Sequence, residues 1–416
     1  MMIEKFSYTS KVKKSIIFIA LLGICMLFLG ILMASQSTHD LSIDSHSHSH
    51  NVFHWTKRLW ANLWINNVFF TGVSIIGVFF VALQYVTRSG WSAGLKRVPE
   101  AFGYWLPIGG LIMLATFLIA SHELFHWTHS YLYDIESELY DPIIVGKKPY
   151  LNYFFYLFRM GLYFTVWTSF FFIIRKQSLQ EDIKGGLSYY RKKVKYSAFF
   201  IIFFAITSST SAWDWILSID THWFSTMLGW YVFASWHVSG LCFITLFIIF
   251  LKDNGYLKNI NENHLHDLGK CVFGFSVFWT YIWFSQFMLI YYANIPEETI
   301  YFVERLQTEN YCALFFVNLI VNFAFPFIGL MARDAKRYPI FLKIVCCVLI
   351  CGHWLDFYLM VTPGVLAEHG ELGMMEMGSM LLYLSAFLHV VLTQLSKSPL
   401  VAINHPLINE SIHHHV

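Results

Sequence analysis

The sequence predicts an all-α polytopic membrane protein with about ten transmembrane helices. Of its 416 residues, 56% are hydrophobic and 19% are aromatic, whereas only 13% carry a charge. A soluble globular domain has about 25% charged residues. Mean hydropathy is +0.52, and apolar runs recur along the whole chain. Each run is close to the ~20 residues that a helix needs to cross a bilayer.

Ten apolar runs define the predicted spans, which cover residues 15–34, 62–86, 104–127, 150–174, 195–216, 223–251, 269–293, 310–332, 338–361 and 377–395. The first run follows the basic segment KVKK, and no cleavage site of the A-x-A type comes after it. We therefore expect an uncleaved anchor rather than a signal peptide. The loops are too short for a nucleotide-binding or multihaem domain, so we expect the protein to act within the membrane or in a complex.

The basic residues predict the orientation of the spans. Counted loop by loop, 22 lysines and arginines fall on the side that holds both termini and 5 on the other side. Seven of the 22 lie in the predicted loop 175–195, whereas loops on the other side are acidic, as in DIESELYD at 134–141 and AEHGELGMME at 367–376. Because cytoplasmic loops are enriched in lysine and arginine, we expect a bacterial inner-membrane protein with both termini in the cytoplasm.

Two spans resemble each other, which indicates an internal duplication. The motif WDW at 213–215 lies on the fifth span and WLDF at 354–357 on the ninth. These spans are the fourth members of two successive sets of four, a pattern that internal repeats produce in membrane proteins. The predicted division is an anchor helix with a histidine-rich outer loop (1–61), a first four-helix bundle (62–216), a second four-helix bundle (217–361), and a last transmembrane helix with a cytoplasmic tail (362–416).

The cysteines and the missing motifs limit the redox chemistry of the chain. Seven cysteines lie in or at the end of apolar runs, and none forms a CxxC pair. This pattern argues against a disulfide framework, an iron–sulfur cluster and a thiolate zinc site. The sequence also lacks a CxxCH haem motif and a Rossmann glycine pattern. We expect redox centres in partner chains, and no ligand of this chain other than a quinone, a quinol or a lipid.

A histidine-rich stretch, DSHSHSHNVFHW, lies in the outer segment 36–61, and the chain ends in IHHHV. Histidine tracts of this kind can bind metal weakly, but we favour a solvated flexible loop as the interpretation. We assign neither segment a role.

Ionisable residues inside the spans are the candidates for a functional site. Such groups are costly at membrane depth and usually face a bundle interior or a proton path. The candidates for a proton relay or a quinol site are His122, Glu123, His126, Arg159, Asp214, His237, His353 and Asp356. At 1.5 Å per residue, Asp214 and His122 are expected near the outer interface, and Arg159 about 14 Å below it. The sequence leaves two possible partners for Arg159, an acidic side chain on a neighbouring span and a lipid headgroup.

The stretch SHELFHWTH at 121–129 contains the H-E-x-x-H spacing of zinc proteases. On a helix this spacing places two imidazoles on one face beside a carboxylate. Zinc catalysis also needs a third ligand, and no distal motif supplies one, so we expect no metal site here. Interfacial histidines and proton-exchanging histidines are the other interpretations. A bis-histidine haem is not favoured either, since His237, His353 and His389 form no clear pairs across helices.

Two stretches resemble a known family. They are DWILSIDTHWFSTMLGWYVFAS at 214–235 and HDLGKCVFGFSVFWTYIWFSQFMLIYYANIPEET at 266–299. Together they resemble the ActF subunit of alternative complex III, a bacterial quinol:cytochrome c oxidoreductase. ActF is similar to the NrfD/PsrC type of quinone-associated membrane subunit. The resemblance implies two four-helix bundles plus two further helices, in agreement with the ten predicted spans.

The resemblance also implies partners and a role. The partners would be a homologous NrfD-like membrane subunit, an iron–sulfur subunit and cytochrome c subunits, with a terminal oxidase as a further candidate. The quinol site would lie in the sister subunit, and this chain would support assembly and conduct protons. The alternatives are an NrfD-type quinol-binding anchor of another redox complex, an intramembrane zinc protease and a secondary transporter. If the chain is such a proton-conducting subunit, replacing Asp214 or Asp356 with Asn should impair the coupling of quinol oxidation to proton transfer more than it impairs assembly of the complex.

Overall fold

Ten long helices and the short segments that join them make up the fold. The structure, a computed structural model, describes residues 4–44 and 55–415. Within these ranges there is no β-strand, and the single isolated bridge joins Lys5 to Pro399. The histidine-rich stretch at 45–54 lies outside the described residues.

Ten helices in the described part are long and apolar enough to cross a membrane, which confirms the predicted fold class. They are α1 (Ser10–Gln36), α2 (Trp55–Val86), α3 (Arg97–Leu124), α4 (Tyr153–Lys184), α5 (Leu187–Ile219), α6 (Leu228–Asp253), α7 (Glu262–Ala293), α8 (Glu309–Gly329), α9 (Pro339–His369) and α10 (Met374–Leu395). The chain is therefore a multi-pass membrane protein. A shorter helix, Pro296–Gln307, connects α7 to α8.

The helices form two four-helix bundles. In the first, α2 packs on α3 and α5, and α4 closes the ring against α3 and α5. In the second, α6 packs on α7 and α9, and α8 closes the ring in the same way. The bundles meet where α2 contacts α6 and α9, so these three helices are the most deeply buried. This arrangement confirms the two bundles expected from the repeated WDW and WLDF motifs.

Both chain termini lie at one end of the bundles, which we call the terminal face. The backbone N–H of Leu400 donates to the carbonyl of Glu4 at 2.9 Å. The last residues then cross the ends of both bundles, because the backbone N–H of Ile403 donates to Asp182 of α4 at 3.1 Å and His414 lies 2.6 Å from Asp267 of α7. Of the terminal histidines, His414 is thus packed against the protein, whereas His413 and His415 are exposed.

The prediction of a basic loop at 175–195 is wrong, because most of these residues are helical. Helix α4 continues to Lys184 and α5 begins at Leu187, so that only two residues connect them. These residues, Gly185 and Gly186, have φ angles of 64° and 87°. Glycine has no Cβ to clash in this conformation, and the paired glycines therefore permit the sharp reversal. The apolar pattern failed here because the helices extend past the apolar region into a charged one.

Charged residues that we expected in loops form buried ion pairs at the terminal face. Arg97, at the start of α3, donates to Glu100 at 3.0 Å, and Arg175 of α4 pairs with the same carboxylate. Lys193 of α5 pairs with Glu181 of α4. A buried charge is tolerated when it is paired. These pairs join α3, α4 and α5 at their ends.

Helix α10 packs on α2, and α1 packs on α10 at the edge of the molecule. Glu376 was expected in an outer acidic loop, but it lies in the first turn of α10 and is buried. Its carboxylate accepts two hydrogen bonds from Arg58 at 2.7 Å and one from Asn62 at 2.8 Å. Glycines allow α1 and α10 to approach closely, since a Cβ at Gly378 would lie 2.4 Å from the backbone nitrogen of Leu27.

Replacing Gly378 with Leu should push α1 away from α10. Overpacking of this kind costs about 1–3 kcal/mol, so we expect a lower unfolding temperature in detergent, measured by tryptophan fluorescence. Gly161→Leu on α4 is the control, because a Cβ at that position meets nothing within 4 Å. Equal destabilisation by both changes would contradict close packing as the cause.

Candidate functional site

The four helices of the second bundle converge on the carboxylate of Asp356, which lies on α9 and is fully buried. Tyr231 of α6 donates its hydroxyl to Oδ1. Asn318 of α8 donates to the same oxygen at 2.8 Å, and Trp279 of α7 donates its indole N–H to Oδ2 at 2.9 Å. All three donors are neutral. Within the described residues, no lysine, arginine or histidine forms an ion pair with this carboxylate.

His353 lies one turn before Asp356 on the same helix and is also fully buried. Its Nδ1 is 3.0 Å from the hydroxyl of Ser235, and its ring meets the edge of Trp279 at 5.5 Å between centroids. In residues 4–44 and 55–415, Nε2 has no hydrogen-bond partner. A buried polar nitrogen of this kind normally bonds to protein or to ordered water. The imidazole is therefore suited to exchange a proton with a water molecule or a mobile ligand.

A short π-helix in α8, Ile320–Ala324, shapes the wall beside this site. Such π-bulges are frequent at functional sites. Asn322 lies in the bulge and donates to Asn318 at 2.6 Å, so the two amides form a chain to Asp356. Gly352 makes room for it, because a Cβ there would lie 2.2 Å from Asn322 Oδ1.

The first bundle contains a second buried aspartate, Asp214 on α5, with a different partner. Arg159 of α4 donates Nε and Nη2 to the two carboxylate oxygens, each at 2.8 Å. Tyr163 donates its hydroxyl at 2.8 Å, and the guanidinium lies 3.8 Å from the ring centroid of Tyr150. This answers the question left open by the sequence, since Arg159 pairs with an acidic residue. It also corrects the predicted depths, which placed the two residues at different levels.

The two aspartates therefore have opposite electrostatic environments. Asp214 forms a bidentate ion pair, so removing either partner would leave the other as an unpaired buried charge. Asp356 has only neutral donors and no counter-charge among the described residues.

The H-E-x-x-H motif does not lie on one helix. Helix α3 ends at Leu124, and Phe125 is extended with φ −122° and ψ 105°. His122 and His126 therefore do not occupy successive turns of a helical face, which the zinc-protease interpretation requires. In the described residues, no group of three or more His, Cys, Asp or Glu side chains is placed to hold a metal ion.

These motif residues have local partners at the end of the bundle opposite the terminal face. The hydroxyl of Thr56 donates to Glu123 at 3.2 Å, and His122 Nδ1 lies 3.0 Å from the hydroxyl of Thr128. Partial burial lowers the pKa of His126, and the nearby His222 lowers it further. No hydrogen bond in the described part of the chain joins this group to Asp214, so the predicted relay between α3 and α5 is not formed by direct contacts.

His237 is separate from both aspartates. Its buried ring packs on Phe275 at 4.0 Å between centroids and also meets Phe233 and Phe79 at 5.4 and 5.6 Å. This aromatic setting makes it a packing residue between the bundles. Of the eight candidates, the structure brings together Arg159 with Asp214 and His353 with Asp356.

Sequence reasoning missed the neutral residues of the site: Tyr231, Ser235, Trp279, Asn318 and Asn322. A signal for two of them was present, because asparagine is costly in an apolar span and a spacing of four places both amides on one helical face. The candidates from the sequence were all ionisable side chains, so neither asparagine was among them.

Comparisons with known proteins do not identify the chain: no family model matches it, and no curated protein matches its sequence significantly.

Replacing Asp214 with Asn should destabilise the first bundle, because Arg159 would keep a buried charge without its counter-charge. This revises the expectation from the sequence, in which the same change impairs coupling more than assembly. Breaking a buried ion pair costs about 3–5 kcal/mol. The double variant Arg159→Met/Asp214→Asn removes both charges and should recover much of that loss in thermal unfolding. If the double variant were no more stable than Asp214→Asn alone, the ion pair would not be the cause.

Proposed function

We propose that this chain is an integral membrane subunit of a quinol:cytochrome c oxidoreductase complex of the alternative complex III type. In this role it supports assembly through the first bundle and conducts protons through the second. One observation carries the proposal: both stretches that resemble ActF supply hydrogen-bond donors to Asp356. Tyr231 lies in 214–235 and Trp279 in 266–299.

Oxidation of a quinol releases two protons as well as two electrons, so the complex needs groups that accept and release protons. Asp356 and His353 fit this requirement, because both are buried, they are one turn apart, and neither has an ion-pair partner among the described residues. The hydroxyl of Tyr231 can reverse its role, since a phenol both donates and accepts. It donates to the carboxylate and can accept from the protonated acid.

The first bundle has the opposite character and supports the assembly role. Its aspartate is neutralised by Arg159, and further pairs at the terminal face join α3, α4 and α5. Electrons would pass through partner chains that hold the redox centres: an iron–sulfur subunit, cytochrome c subunits and a homologous membrane subunit with the quinol site. The excess of lysine and arginine on the side of the termini fits an orientation with the termini in the cytoplasm.

Two alternatives are less well supported by the geometry. A zinc protease would need the H-E-x-x-H residues on one helix, and the helix ends inside the motif. A secondary transporter would show interrupted spans, and several described helices carry interruptions: a kink at Ala120 in α3, the π-helix in α8 and Pro363 in α9. The π-helix is linked to Asp356 through Asn322 and Asn318, so the proton-conducting interpretation explains that interruption as well.

Purification through this chain in a mild detergent is the first test. We expect mass spectrometry to identify an iron–sulfur subunit and a second NrfD-like subunit, and the visible spectrum to show haem c. An NrfD-like anchor of another redox complex would bring different redox partners. A colourless preparation without partners, carrying stoichiometric zinc, would contradict the proposal.

Replacing Asp356 with Asn removes the exchangeable proton while the amide keeps nearly the same shape. Because a positioned acid or base contributes about 10²–10⁴-fold to rate, we expect quinol:cytochrome c turnover to fall at least tenfold while the complex still assembles. The exposed Asp134→Asn is the matched control and should retain full turnover. Unchanged turnover, or loss of the whole complex from the membrane, would contradict a proton-conducting role for Asp356.

A further inference from the structure

A long apolar groove runs between α1 and the second bundle and encloses about 440 Å³. Helices α1, α6, α9 and α10 form its walls, with Ile16, Ile19, Phe247, Cys347, Leu384 and Leu388 among the lining side chains. Polar surface is nearly absent from the lining. The groove exists because α1 packs mainly on α10 and leaves its other side away from α9.

The groove lies in the half of the membrane next to the terminal face. It begins near Val12 in the first turn of α1 and follows α10 from Leu392 to Met380. At 1.5 Å per residue this distance along α10 is about 18 Å. One leaflet contributes about 15 Å to the hydrocarbon layer. The groove therefore has the length of an extended acyl chain within a single leaflet.

Two exposed lysines of α1 lie near the end of the groove closest to the terminal face. Lys11 lies one turn before the groove-lining Ser15, and Lys14 lies about one turn after Lys11, so their side chains are neighbours on the helix surface. In the described residues no ion pair neutralises either lysine. On the other wall Lys343 lies one turn before Cys347 but is already paired with Asp253. The mouth thus presents two unpaired positive charges where a lipid headgroup would lie.

We propose that the groove binds one acyl chain of an anionic phospholipid, whose phosphate contacts Lys11 and Lys14. Basic residues at the membrane surface attract anionic lipids, and the apolar walls exclude the headgroup from the groove itself. The proposal does not depend on the proposed function.

Native mass spectrometry of the protein, purified in mild detergent and stripped of lipid, tests this proposal. The probes are phosphatidylglycerol and phosphatidylcholine with identical acyl chains. We expect one added phosphatidylglycerol to bind per chain, at least about tenfold more tightly than phosphatidylcholine, as two lysine contacts predict. Equal binding of the two lipids would overturn the proposal.

Two variants separate the charge from the groove. Lys11→Gln/Lys14→Gln should abolish the preference for phosphatidylglycerol, whereas Lys192→Gln/Lys195→Gln, two exposed lysines on α5, should preserve it. Cys351→Trp fills the groove and should reduce binding of both lipids, whereas Phe18→Trp, on the exposed side of α1, should not. A preference that survived loss of Lys11 and Lys14, or binding that survived Cys351→Trp, would place the lipid elsewhere and overturn the proposal.

Discussion

An ionised side chain inside a bilayer has no water to solvate it, so the protein must compensate its charge or keep it neutral. The two buried aspartates satisfy this constraint in different ways. Asp214 is compensated by a bidentate arginine, whereas Asp356 accepts three hydrogen bonds from neutral groups. The first solution joins two helices through an ion pair. The second leaves a carboxylate without a counter-charge among the described residues, and the proposed function depends on it.

The corresponding positions of the two aspartates make this difference interpretable. Both lie on the fourth helix of their bundle, close in sequence to tryptophan, and both accept a hydrogen bond from a buried tyrosine. The two sites differ in the other donors, which are an arginine at Asp214 and a neutral tryptophan and asparagine at Asp356. A π-helix and a glycine on the facing helices supply the space that these side chains need. In the second bundle, the packing of the helices therefore matches the size of the polar side chains around Asp356.

The two outer helices follow a different principle. Lipid tails are as apolar as leucine, so helices associate in a membrane through close packing and polar contacts. Gly23, Gly30 and Gly378 permit close packing of α1 on α10, and Arg58 with Glu376 joins α10 to α2. Because α1 has this one main contact, its other side remains open toward α9 and forms the groove that we assign to a lipid.

The sequence by itself determined that the chain crosses a membrane about ten times in two related sets of four helices. Transfer of an apolar segment into a bilayer depends on that segment alone, so hydropathy was sufficient. Which side chains pair with each aspartate does not depend on local sequence, because these hydrogen bonds join residues that are 38, 55 and 77 positions apart. The tertiary structure therefore decided which aspartate is compensated. It also showed that the H-E-x-x-H residues do not share one helix, because the helix ends before Phe125, whose backbone is extended, and the residue spacing does not reveal this.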